Sequence, residues 1–248
     1  MCLIVWNPEG KFLNKEKMKN AHENNPHGFG IMWAENGEVK IDKGVHEFDY
    51  IWETIKNFKD HSFALHFRYR THGPKTDELC HPFSVIEGKL AMMHNGIMRQ
   101  YGGIPEKSDS QVFTEKLHDW LVKNEIDHQE IFSPEIMKQF EELIGNSNKL
   151  LFMKEDGEVV FANEQQGDWV NGIWYSNLYS LEASHKGLID MFDWEDSDYP
   201  LTRKERKQLA RYWNSQEHQD PIKATVTIGG GHSAWLPKGR VWPRHGRT

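Results

Sequence analysis

Cys2 follows the initiator methionine directly and is one of only two cysteines in the chain. Loss of Met1 would leave its thiol beside a free α-amino group. A thiol attacks as the thiolate, and a free cysteine titrates near about 8.5. An α-amino group titrates near about 7.7–8.0, so a useful fraction is an unprotonated base near neutral pH. Nucleophile and general base would then share one residue, and no separate catalytic histidine would be needed. The same position also suits a buried structural cysteine in a first strand.

Three further stretches carry residue types that chemistry at a carbonyl needs. "HFRYRTHG" (66–73) ends a strand in a glycine turn. Strand alternation puts His66, Arg68 and Arg70 on one face, opposite Phe67 and Tyr69. Two arginines on a central strand require anions. Those are either neighbouring acidic side chains or a substrate carboxylate gripped by two parallel hydrogen bonds. "MMHNGIM" (92–98) ends a strand in Asn95-Gly96. An amide side chain and a backbone N–H aimed at one point can stabilise an oxyanion, although Asn-Gly is also a plain turn. "SDSQVF" (108–113) puts Asp109 in the first turn of a helix, where backbone N–H groups favour an ionised carboxylate. It serves either to start the helix or to hold a substrate ammonium. A cysteine, an arginine, an Asn-Gly and an aspartate together suit an amino-acid amide. Arg and Asp would fix its α-carboxylate and α-amino group, Cys would attack the side-chain amide, and Asn-Gly would stabilise the oxyanion.

These residues need elements to position them. "CLIVW" (2–6) reads as a buried strand. "GFGIMWAENGEVKIDKGV" (28–45) reads as two strands joined at Asn-Gly, and "KLLFMKEDGEVVFAN" (149–163) as a second hairpin at Asp-Gly. Strands are expected over 62–70, 89–96 and 172–177, and helices over 49–59, 108–124, 133–145 and 201–216. The helix at 108–124 has an apolar stripe of Phe113, Leu117, Trp120 and Leu121, with Ser108 and Gln111 in capping-box positions. The strands come in hairpins, and the helices do not alternate with them. That pattern argues for an α+β fold with antiparallel sheet under packed helices, not a doubly wound parallel sheet. Residues 2–226 read as one domain, and 227–248 as a Gly/Pro-rich basic tail carrying Lys238, Arg240, Arg244 and Arg247 beside Trp235 and Trp242. The tail is either poorly ordered or a docking segment.

Composition narrows the class. A chain of 248 residues with ten Trp and thirteen Phe can fill the core of one large domain. A net charge of -7 gives no global reason for nucleic-acid binding. Two cysteines cannot build a disulfide framework, and no apolar run approaches a bilayer's thickness, so the expectation is a soluble cytoplasmic protein without a membrane partner. There is no His-Glu-x-x-His, and the fourteen histidines form no ligand spacing, so neither a metal nor a cofactor is expected. Cys80-His81 reads as neighbours on opposite faces of a strand, with Cys80 structural.

Taken in order, the motifs resemble the class II glutamine amidotransferases, the N-terminal-nucleophile (Ntn) hydrolases whose first residue is cysteine. "HFRYRTHG" looks like that family's His-x-Arg-Trp-Ala-Thr-His-Gly run, "HNGI" like its His-Asn-Gly-Ile run, and "DSQV" like its Asp-Thr-Glu-Val helix start. "CHPF" (80–83) is similar to its Ala-His-Pro segment, and "NNPHGFGIMW" (24–33) to an early strand entry. The resemblance covers residues 2–115 and implies a four-layer αββα sandwich of two antiparallel sheets between helices. It implies Cys2 as nucleophile with its own amine as base, Asn95 and the Gly96 N–H as oxyanion hole, Arg68 on the glutamine carboxylate, Thr71 and His72 lining the pocket, and Asp109 on the amino group. The reaction implied is glutamine hydrolysis through a γ-glutamyl thioester.

The pattern also departs from the family. Tyr69 replaces its tryptophan, and Arg70 replaces its alanine, adding a cation that could alter substrate preference. The stretch after Asn163 is expected to leave no room for a second catalytic domain. Ammonia would then pass to a synthase or ligase subunit or be released. Two alternatives stand beside this reading: hydrolysis of another γ-glutamyl or small amide, and a catalytically silent binding or regulatory subunit.

Overall fold

Strand β1 (Leu3–Asn7) is buried along its whole length, as its apolar run requires. It lies near the middle of a sheet with β2 (Phe29–Glu35), β3 (Glu38–Gly44), β4 (Phe63–Phe67), β9 (Asp168–Val170) and β10 (Ile173–Tyr175). The strand order is β3-β2-β4-β1-β10-β9. A second sheet holds β5 (Phe83–Ile86), β6 (Leu90–Asn95), β7 (Lys149–Lys154) and β8 (Val159–Ala162) in that order. Every neighbouring pair in both sheets is antiparallel. The computed structural model describes residues 2–70, 76–183, 225–228 and 232–235.

Alternation along the strands builds three apolar layers. Leu3 and Val5 of β1 face one way with Phe63, Leu65 and Phe67 of β4, packing against α1 (Lys15–Asn24) and α2 (Phe48–Asn57). Ile4, Trp6 and Ala64 face the other way, meeting Ala91, Met93, Leu151 and Met153 of the second sheet. The far face of that sheet, with Leu90, Met92, Leu150 and Phe152, packs on α3 (Asp109–Lys123) and α4 (Pro134–Ile144). The result is helix, sheet, sheet, helix: the four-layer α+β sandwich that the motifs implied. Each fully buried Leu or Phe in these layers contributes roughly 1.5–3 kcal/mol relative to exposure.

Local chemistry sets the ends of the elements. The β2–β3 turn places Asn36 and Gly37 at φ of 54° and 75°, the left-handed pair that a tight two-residue hairpin demands. Ser108 Oγ accepts from the Gln111 N–H at 3.1 Å, and Ser133 Oγ accepts from the Ile136 N–H at 3.4 Å, capping α3 and α4.

Several expectations need correction. β4 ends at Phe67, short of Arg70: the Arg68 N–H still donates to the Gly28 carbonyl at 2.8 Å in register with β2, but the Arg70 N–H donates instead to His27 Nδ1 at 2.8 Å. Arg70 is exposed beyond the strand, so the shared-face argument for it lapses. Trp120 is 39% exposed and lies outside the α3 stripe. Cys80 and His81 occupy the connection before β5, and both are buried. They are therefore not strand neighbours on opposite faces. α1, β5 and β9 were not anticipated. The helix expected at 201–216 lies outside the described residues.

The chain divides into two compact units, Met1–Ser184 and His185–Thr248. In the second, β11 (Thr225–Ile228) and β12 (His232–Trp235) pair antiparallel, with Thr225 opposite Trp235. This hairpin straddles the 226/227 boundary drawn from composition. Lys238, Arg240, Trp242, Arg244 and Arg247 lie outside the described residues. Among the described residues no helix is long and apolar enough to cross a membrane.

Candidate active site

Four segment ends meet where β1 begins. Leu3 pairs with Phe67, so Cys2 comes level with Arg68 at the end of β4. Cys2 Sγ accepts from the Tyr69 N–H at 3.3 Å and lies 3.5 Å from the Tyr69 carbonyl. The Cys2 carbonyl accepts from Asn177 Nδ2 at 2.9 Å. Burial pushes the thiol above its ordinary value, while the Tyr69 N–H and the Arg68 charge pull it down and Asp109 pushes it up. Tyr179 is pushed up to about 12, by burial first and the Cys2 charge second.

Asn95 reaches this point from the second sheet. Its Nδ2 donates to Ser176 Oγ at 2.7 Å, and the same oxygen accepts from the Ile4 N–H at 2.8 Å. Ser176 also donates its own N–H to the Ile4 carbonyl at 2.9 Å. One hydroxyl thus ties Asn95 to the strand residue two positions after Cys2. An amide nitrogen carries two N–H bonds, and only one is used on Ser176. Gly96 follows at φ of 152°, and a Cβ there would collide with Asn148 Oδ1. Only glycine fits both the dihedral and the space.

Asp109, at the first position of α3, is 5% exposed. Its Oδ2 accepts from the Met98 N–H at 2.7 Å, and its Oδ1 from the Ser110 N–H at 2.9 Å. The carboxylate therefore fixes the chain three residues beyond Asn95; the Ser110 hydroxyl also lies 3.4 Å from Oδ1, and Oδ2 retains a lone pair. Arg68 is 3% exposed, and its carbonyl accepts from the His27 N–H at 3.0 Å. The structure brings Cys2, Arg68, Asn95, Gly96 and Asp109 to one locality. Thr71 and His72 lie outside the described residues.

Buried histidines surround the site. His66, on the inter-sheet face of β4, has Nε2 3.1 Å from the His94 carbonyl, so this nitrogen carries the proton and donates. Burial lowers His66 to about 3. The His81 ring lies 4.1 Å from that of His66 and is likewise pushed well down by burial. Cys80 is fully buried, and burial raises its thiol against the pull of Arg68 and Lys43. Both cysteines are free. Among the described residues no group of three His, Cys, Asp or Glu could hold a metal ion.

Sequence reasoning missed Ser176 and Asn177, which position Asn95 and Cys2. They stand at the end of an expected strand, and nothing in their spacing relative to Cys2 announces the contact. It also gave no role to His94, Ser110 and Asn148, although the first two adjoin residues it named.

No family model matches the chain. In sequence it is similar to glutamine–fructose-6-phosphate aminotransferase [isomerizing] of Sulfurisphaera tokodaii, 33% identical over 78 residues, which is 31% of this chain and 13% of that protein. The protein of the same name from Aquifex aeolicus is 29% identical over 104 residues, 38% of this chain and 18% of the relative. That of Thermococcus kodakarensis is 20% identical over 213 residues, 78% of this chain and 34% of the relative. The chain thus spans about a third or less of the length of these relatives. Among solved structures it resembles glutamine phosphoribosylpyrophosphate amidotransferase from B. subtilis complexed with ADP and GMP, with a TM-score of 0.45, 18% identity, and 70% of this chain and 40% of that one covered. It also resembles a glutamine aminotransferase class-II domain protein from Silicibacter pomeroyi, with a TM-score of 0.35, 14% identity, and 62% and 73% covered.

The layer order and the antiparallel sheets make a four-layer αββα sandwich of the α+β class, the arrangement that the resemblance implied. In the order of its motifs and in these partial sequence matches, the chain resembles the class II, Ntn-type glutamine amidotransferases.

Proposed function

We propose that this domain hydrolyses glutamine to glutamate and ammonia, with Cys2 as nucleophile once Met1 is removed. The observation that supports this best is the Ser176 bridge. It holds the Asn95 amide beside β1, within two residues of the Cys2 thiol. A nucleophile and an oxyanion donor from two different sheets are thereby fixed to one strand.

The Cys2 α-amine takes the thiol proton as sulfur attacks the side-chain carbonyl carbon. Burial raises this thiol, so the base is needed to generate the thiolate near neutral pH. The carbonyl oxygen becomes an oxyanion, met by Asn95 Nδ2 and the Gly96 N–H. The intermediate collapses to a γ-glutamyl thioester, and the amine returns the proton to the leaving nitrogen, releasing ammonia. Water, deprotonated by the same amine, then attacks the thioester and releases glutamate and the thiol. Arg68 grips the α-carboxylate and Asp109 the α-ammonium, which fixes the scissile carbonyl against sulfur. Thr71 and His72 complete the pocket in this reading, and the ammonia goes to an accepting synthase or ligase or is released.

Glutamate release measured from glutamine and from a panel of γ-glutamyl compounds and small amides tests this. Turnover should be fastest with glutamine. Faster turnover of another amide would transfer the assignment to that substrate, and no turnover of any would favour a silent binding subunit.

A further inference from the structure

His94 is buried, and neither its ring nor its partners enter the mechanism above. It immediately precedes Asn95 on β6, and strand alternation turns its ring away from the thiol, toward α3. Its Nδ1 lies 2.8 Å from Ser110 Oγ, and its Nε2 lies 3.0 Å from Asn148 Oδ1. Ser110 is the neighbour of Asp109. Asn148 is the residue against which Gly96 packs.

The chemistry of these partners fixes the state of the ring. Asn148 Nδ2 donates to the Ile144 carbonyl at 2.6 Å. A carbonyl only accepts, so the amide cannot be turned over, and its oxygen faces His94. Nε2 must therefore carry the proton. In a neutral ring Nδ1 is then the acceptor, and the Ser110 hydroxyl donates to it. Asn148 is itself anchored, because its carbonyl accepts from Asn163 Nδ2 at 2.8 Å and its N–H donates to the Gly145 carbonyl at 3.2 Å. His94 therefore joins a fixed loop at the C-terminal end of α4 to the first turn of α3.

We propose that His94 is a positioning residue: a neutral imidazole protonated on Nε2 that holds Asn148 under Gly96 and Ser110 beside Asp109, keeping the oxyanion end and the ammonium end of the site in register. The proposal deepens the glutamine reading and rests on it. The Asn148 arm governs the turn whose N–H meets the developing charge. The Ser110 arm governs the carboxylate that holds the substrate's amino group. Loss of each arm should therefore have a different kinetic signature.

The test uses the full chain. Ser110→Ala should raise KM for glutamine by about tenfold with kcat within about twofold, and Ser110→Thr, which keeps the hydroxyl, should restore KM. Asn148→Ala should lower kcat by about tenfold with KM within about twofold. Equal losses in kcat and KM for both variants, tracking their melting temperatures, would overturn the proposal. If Asn148→Ala fails to fold, the Ser110→Ala and Ser110→Thr pair decides. Nitrogen-15 NMR of the unaltered chain reads the ring directly, with His94 assigned by the signals absent from His94→Gln. Protonated Nε2 with bare Nδ1 at pH 7 is expected. Protonated Nδ1 or a doubly protonated ring would overturn the proposal, whatever the activity. Absence of glutamate release from the unaltered chain would instead sink the glutamine reading and the kinetic signatures with it, while the ring state is still decided by NMR.

Discussion

The two sheets contribute to the site in different ways. On the side of the first sheet, Cys2 Sγ hydrogen-bonds the backbone of Tyr69, at 3.3 and 3.5 Å. On the side of the second sheet, Asn95 Nδ2 donates to Ser176 Oγ at 2.7 Å, His94 bonds Ser110 Oγ and Asn148 Oδ1 at 2.8 and 3.0 Å, and Asp109 accepts from the Met98 and Ser110 N–H groups at 2.7 and 2.9 Å. A nucleophile must change its bonding during the reaction, and weak backbone contacts leave it free to do so. Groups that receive a developing charge work best when already oriented, because no reorganisation is then needed in the transition state. The difference therefore separates the reacting atom from the frame that holds its substrate.

Variants on either side can break or sharpen that contrast. The largest effect is expected from Cys2→Ala, which should abolish glutamate release while the far-UV circular dichroism and melting temperature stay close to those of the unaltered chain. Residual turnover at more than a trace would remove the thiol from its role. Asn95→Ala should lower kcat by roughly 10²–10³, the cost of one oxyanion donor. A change below threefold would leave Asn95 with only its Ser176 contact. Arg68→Lys should raise KM for glutamine by roughly 10–100-fold, because an ammonium cannot reproduce a two-pronged grip and charged hydrogen bonds are worth about 1.5–3 kcal/mol. Unchanged KM would count against carboxylate recognition there.

A smaller effect concerns pH. His66, His81 and His94 are all held below the ordinary histidine value, chiefly by burial. The Arg68 charge adds to the effect on His66 and His81, Lys43 on His81 and Lys149 on His94, while Asp109 opposes it on His94. The folded state therefore takes up fewer protons than the unfolded chain below pH about 6.5, the unperturbed histidine value. Stability should be complete above that pH and fall as acid is added, down toward the value of about 3 for His66. Thermal unfolding between pH 8 and 4 reads this directly, and a melting temperature flat across pH 6.5–4.5 would contradict it. The smallest effect is expected at Ser133, remote in sequence from the site. Ser133→Ala removes the cap of α4 and should cost about 1 kcal/mol in denaturant unfolding.

Much of this arrangement was legible in the sequence, for local reasons. Asn36-Gly37, Ser108 and Ser133 act on residues two or three positions away, so hairpins and caps could be read from spacing. β1 and β6 are continuous apolar runs. α1 escaped notice because only Met18 and Ala21 of its ten residues are buried, too few for a stripe. β5 has four residues and a register shift between Ser84 and Ile86, which blurs its alternation. Arg70 was placed on a strand that stops three residues earlier, and its N–H bonds the side chain of His27, 43 positions away, a contact that local spacing does not encode. Cys2, Arg68, Asn95, Gly96 and Asp109 could be named from their types, but the bonds of Cys2 to Asn177, Asn95 to Ser176 and His94 to Asn148 span 175, 81 and 54 positions. Nothing in local spacing encodes them.

The intact mass of the purified, active chain, before and after exposure to a glutamine-mimicking electrophile, addresses the central claim most directly. A mass lacking Met1, followed by a single adduct mapped to Cys2 and complete loss of glutamate release, is the predicted result. Full activity with Met1 retained, or inactivation with the adduct on Cys80, would contradict it.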